Sequence, residues 1–69
     1  MSWTQVQNAL PFRHGLVNAG SRGNATYSLH RNGRQGWVVK MYRGKTFVHG
    51  PVVYTAARDK YNKLLSGSE

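Results

Sequence analysis

The sequence predicts an α+β domain, a three-stranded antiparallel sheet packed on one C-terminal helix. Three observations carry this expectation. Residues 25–53 are rich in Val, Tyr, Trp, Phe and Thr, which suit a pleated, half-buried surface. Two glycine-bearing turn signals, Asn32-Gly33 and Arg43-Gly44-Lys45, divide that stretch into three runs. Beyond it, Ala57, Tyr61, Leu64 and Leu65 fall at i, i+4, i+7 and i+8, one apolar stripe of a helix.

The first eleven residues have the pattern of a short helix. Ser2 and Gln5 fit a capping box, Trp3, Val6 and Leu10 share a face, and Pro11 stops the run. The alternative is an irregular start whose Trp3 tucks against the core. Residues 12–24 carry three glycines, two asparagines and Ser21 with no period, which reads as a flexible arm or loop. The N-terminal region, 1–24, is thus a short helix and a basic arm, to order on a phosphate backbone or to serve only as a linker.

The strands are expected near Ala25–Arg31, Trp37–Tyr42 and Thr46–Val53. A two-residue Asn32-Gly33 loop would scatter apolar groups over both faces. A three- or five-residue loop aligns Ala25, Tyr27 and Leu29 with Trp37, Val39 and Met41, and a single buried face favours it. The opposite face then holds Thr26, Ser28 and His30 beside Val38, Lys40 and Tyr42. The second hairpin is open between two registers, one placing Val48 on the core face and the other Phe47. Pro51 cannot donate to a ladder, so the third strand ends there or runs along an edge. The helix is expected over 55–65, with Thr55 as N-cap, Asp59 near its positive end and Gly67 as its stop. Its stripe should pack on Trp37, Val39 and Met41. Residues 66–69 are a polar tail, and the whole chain, 1–69, is one domain.

Ten Lys and Arg face two acids in 69 residues, a net charge of +8. That is at the upper edge of the roughly 2–8 that suits a small domain, and self-repulsion at this density costs stability. A polyanionic partner accounts for it. No acid at all occurs in residues 1–58. There is no cysteine, and no apolar run approaches the ~20 residues that span a bilayer. With no signal-peptide pattern at the start, the expectation is a cytoplasmic protein with no membrane association.

Catalysis is not expected. Asp59 and Glu69 are the only carboxylate side chains, so no pair serves acid–base chemistry. No base with an acidic orienter is in place to activate a serine or threonine. His14, His30 and His49 match no metal-ligand spacing, and no glycine-rich phosphate loop is present. Neither a metal nor a cofactor is implied.

The pattern that remains is cation interleaved with aromatic. Between Arg31 and His49 lie Arg31, Arg34, Lys40, Arg43 and Lys45, with Trp37, Tyr42 and Phe47 among them. Phosphates need positive donors, and arginine also reaches guanine edges. The expected partner is nucleic acid, DNA ahead of RNA, through the sheet face and hairpin tips. The candidate contacts are Arg13, Arg22, Arg31, Arg34, Lys40, Tyr42, Arg43 and Lys45. An acidic surface on a protein target, bound by a small inhibitor of the kind phages make, is the alternative from another class.

The stretch "GWVVKMYRGK" followed by "TAARDKYNKLL" resembles the tryptophan-bearing strand, turn and alanine-containing helix of two DNA-binding families. These are the arm-binding domain of tyrosine integrases and the plant ethylene-responsive-factor domain. The resemblance covers roughly residues 25–65 and departs around "VHGPVVY". It implies a sheet lying in the DNA major groove with the helix supporting it from behind. It also implies Arg31, Arg34, Lys40, Tyr42, Arg43 and Lys45 as contacts. With a helical start, the order of elements is also similar to a double-stranded-RNA-binding domain. That family places a basic cluster at its last helix, where "YTAARDK" offers Arg58 and Lys60.

Overall fold

A computed structural model of the chain describes residues 3–6 and 15–67. The strands are β1 (Trp3–Val6), β2 (Leu16–Arg22), β3 (Ala25–Asn32), β4 (Gln35–Tyr42) and β5 (Lys45–Val53), followed by helix α1 (Tyr54–Ser66). They form one antiparallel sheet in the order β1-β5-β4-β3-β2. The α+β class is as the sequence predicts, but the sheet has five strands where three were expected. Residues 3–6, read as part of a helix, are an edge strand. Residues 16–22, read as part of a flexible arm, form the opposite edge.

Two-residue turns set the register. Tyr42 pairs with Lys45 around Arg43-Gly44, both at positive φ (52° and 75°), the mirror-image turn whose twist matches the strands. Asn32 pairs with Gln35 around Gly33-Arg34. The odd-length first loop expected from the alternation is therefore corrected. Leu29 lies opposite Val38 and Tyr27 opposite Lys40, while Ser28 lies opposite Val39. The physical reason is that β4 is buried on both sides, with Val38 at 0% and Val39 at 1% exposure. A pattern argument that assumes one wet face cannot choose between them.

Helix α1 packs on the face holding Leu29 and Val38, with Ala57 and Tyr61 completing the core. Trp3, Tyr27, Val52, Tyr54, Leu64 and Leu65 pack around these four. The helix therefore does not sit on Trp37, Val39 and Met41, which belong to the other face; Met41 is 53% exposed. Gly36 permits the close approach: a Cβ there would lie 2.9 Å from the Ala57 Cβ and 3.1 Å from the Tyr54 Cα. Val53, not Thr55, holds the N-cap position, and no side chain caps it. The Tyr54 N–H instead donates to the carbonyl of Arg34, in the turn between β3 and β4, at 2.8 Å. Gly67 ends the helix in the left-handed region, its N–H donating to the Lys63 carbonyl.

Pro51 is tolerated inside β5 because it lies past the last pair with β1, Trp3 with His49. The β2 edge has a register shift between Leu16 and Asn18, and the Ala19 N–H donates to the Asn18 Oδ1 at 2.9 Å.

Candidate functional site

The alternation of each strand assigns its side chains to one of two faces. The helix-side face carries Arg22, Arg31, Lys40 and Lys45, and the far face of the described strands carries no Lys or Arg. Arg34 and Arg43 occupy turns, and Arg58, Lys60 and Lys63 belong to the helix. All nine described cations thus avoid one broad side of the sheet. Its central positions are instead Thr26, Ser28, His30, Trp37, Val39, Met41, Thr46 and Val48.

The cations on the helix side fall into three places. Arg22 lies at the C-terminal end of the helix, its Nη1 donating to the Leu65 carbonyl at 3.4 Å, where the helix dipole favours a positive charge. Arg31 lies near the helix start, with its guanidinium 4.7 Å from the Tyr54 ring centroid and its Nε donating to the Gly33 carbonyl at 2.8 Å. Arg34 is exposed in the adjoining turn. Arg22 and Arg31 are thus joined to the fold's own contacts.

The third place is the corner where the β4–β5 hairpin leaves the cover of the helix. The cross-strand pairs Lys40 with Phe47 and Tyr42 with Lys45 put a cation beside an aromatic ring on both strands. Trp3 reaches the same corner from β1. The Lys40 Nζ lies 5.2 Å from the Trp3 ring centroid, 5.3 Å from that of Phe47 and 5.9 Å from that of Tyr42. The Lys60 Nζ approaches Trp3 from the helix at 5.6 Å, and the Arg43 guanidinium lies 5.3 Å from Tyr42. Trp3, Lys40, Tyr42, Phe47 and Lys60 are half-buried, and Arg43 and Lys45 are exposed at the rim. A ring face is electron-rich, so it attracts an ammonium group and holds it without a carboxylate.

Of the residues expected from sequence, Lys40, Tyr42, Arg43 and Lys45 come together here. Arg22, Arg31 and Arg34 do not, and Arg13 lies outside the described residues. Lys40 and Tyr42 face the helix side, so the expected arrangement of a cationic sheet face with the helix behind it is corrected. Trp3 was not among the expected residues, and Lys60 was offered only by the likeness to a double-stranded-RNA-binding domain. Trp3 was read with a helical period, and the run Trp3-Thr4-Gln5-Val6 has no apolar–polar alternation that marks it as a strand.

The two described histidines lie on opposite faces of the sheet. His30 is buried on the far face, its Nε2 hydrogen-bonded to the Ser28 Oγ at 2.9 Å. His49 lies on the helix side, tilted against Trp3 with centroids 5.9 Å apart, and its buried Nδ1 has no hydrogen-bond partner. Among the described residues no group of three His, Cys, Asp or Glu is placed to hold a metal ion, and no helix is long and apolar enough to cross a membrane. Comparison with protein-family profiles, with curated proteins and with solved structures finds no match to this chain.

Proposed function

We propose that this protein is a non-enzymatic binder of nucleic acid, and that it makes contact through the helix-side corner formed by Trp3, Lys40, Tyr42, Arg43, Lys45, Phe47 and Lys60. The observation that carries the reading is the gathering of Lys40, Arg43, Lys45 and Lys60 around the rings of Trp3, Tyr42 and Phe47. Every described Lys and Arg is on a turn, on the helix or on the helix side of the sheet. The centre of the far face, His30, Val39 and Val48, is buried and would carry no charge in any case; what supports a polyanion is that Lys40, Arg43, Lys45 and Lys60 gather at one corner. Two acids cannot neutralise ten cations. Contacts to phosphate position the partner without reading its sequence. The face away from the helix lacks cations, so a groove filled by that face is not the mode proposed.

The test is a salt titration of affinity. Lys40, Arg43, Lys45 and Lys60 make four phosphate contacts available. The slope of log K against log salt is then about −3.6 on duplex and about −2.8 on single strands. Lys45→Gln should make either slope shallower by about one contact. Failure of DNA and RNA, duplex and single-stranded, to bind at low salt would overturn the reading. Capture of one acidic protein, lost in Lys45→Gln, would replace it with the inhibitor reading.

A further inference from the structure

We infer that the corner takes an unpaired nucleobase, so that the preferred ligand is a single strand rather than a duplex; this rests on the nucleic-acid reading above. The argument starts from what a phosphate site does not need. The face of an aromatic ring is electron-rich and offers nothing to an anion. Four cations on a turn and a helix would suffice for a phosphate backbone. Here three half-buried rings, Trp3, Tyr42 and Phe47, surround one ammonium, with all three centroids within 5.9 Å of the Lys40 Nζ.

A ligand that satisfies both halves of the corner must carry a flat π-surface and a negative charge a few bonds away. A nucleotide does. In a duplex the base faces are covered by their stacked neighbours, and only edges are presented in the grooves. An unpaired base has a free face, and stacking on aromatic side chains is how single strands are held without sequence preference. The cations are arranged for the rest of the nucleotide. Arg43 and Lys45 stand exposed at the rim on the hairpin side, and Lys60 stands on the helix side of Trp3. A strand crossing the corner meets a cation on each side of the rings. Lys40 sits between the rings, held by ring faces that it exchanges for phosphate when a base enters.

The rings come from three sources: β1, the end of β4 and the start of β5. None belongs to the four-residue centre of the core, Leu29, Val38, Ala57 and Tyr61. Trp3 does pack against that centre, so Tyr42 and Phe47 are the rings to alter.

The experiment uses the full chain with Trp37→Phe, which leaves Trp3 as the one fluorescent tryptophan of the two. A twelve-nucleotide oligothymidylate and the blunt duplex with its complement are titrated at low salt. The expected result is saturable quenching of Trp3 by the single strand. Tyr42→Leu and Phe47→Leu should each weaken single-strand binding roughly 5- to 150-fold, the range for one base–aromatic stack. Duplex affinity should change less than about twofold on the same scale. Lys45→Gln should weaken both ligands alike. In the unaltered chain, the Trp3 indole NMR signal should shift with the single strand, which covers the case in which Trp37→Phe does not fold. Equal binding of both ligands with Trp3 unmoved overturns base stacking and leaves the nucleic-acid reading standing. Binding of neither these nor the RNA single strand and duplex of the same sequence overturns both.

Discussion

The register of β3 against β4 makes the sharpest claim about stability. Val38 is fully buried beneath the helix, and Met41, on the opposite face near the hairpin end, is 53% exposed. Val38→Ala removes two methyl groups from a site closed by Leu29, Ala57 and Tyr61. At about 0.8 kcal/mol for each buried carbon plus a cavity penalty, the cost is about 2–3 kcal/mol. A chain of 69 residues unfolds with an entropy of about 0.14 kcal/mol/K, so Tm should fall by about 15–20 °C. Met41→Ala should stay within about 0.5 kcal/mol, a few degrees. Thermal melting followed by far-UV circular dichroism reads both. The register with Trp37, Val39 and Met41 under the helix demands the reverse order. A tolerated Val38→Ala beside a strongly destabilised Met41→Ala would therefore refute the placement of the helix.

Three further outcomes follow from particular contacts. Gly36→Val should destabilise by roughly 1–3 kcal/mol through overpacking, because its Cβ meets Ala57 and the Tyr54 backbone; urea unfolding measures it. Burial pushes the Tyr61 hydroxyl above its ordinary value of 10.0. The folded state therefore holds that proton more tightly than the unfolded chain, so stability is complete below pH 10.0 and declines as pH rises past it. Tyr61→Phe should flatten that alkaline decline in a pH series of melts; an unchanged slope would show that this hydroxyl is not its source. Arg31→Ala should lower stability by about 1 kcal/mol through loss of its contact with Tyr54, without altering the salt slope of nucleic-acid binding.

The helix was legible because its stripe is local: Ala57, Tyr61, Leu64 and Leu65 need only a 3.6-residue period and one apolar surface to face. Tyr27 and Leu29 were legible for the same reason in a strand. Register was not, because Val38 and Val39 are both buried and the alternation between them is erased. Strand β2 escaped notice because its residues, mostly exposed, carry no pattern; pairing with β3 makes it a strand. The corner was half legible. Lys40, Tyr42, Arg43 and Lys45 are close in sequence around one turn. Trp3 joins them only through pairing of β1 with β5, more than forty residues on, which no local signal announces.

The two edges of the sheet bear on how copies of this chain behave when crowded. A polymer that gathers many basic particles raises their local concentration, the condition under which bare strand edges template fibres. Here β1 offers four residues. Along β2 the ladder is broken at the Leu16/Asn18 shift, beside the exposed Leu16 and Val17, and one step further the Asn18 side chain occupies the Ala19 N–H. A neighbour sliding alongside finds no uninterrupted row of donors and acceptors to copy. If the proposed nucleic-acid binding holds, spacing along the polymer would be governed by repulsion between like-charged neighbours, and a loaded array would come apart on raising the salt rather than hardening into aggregate.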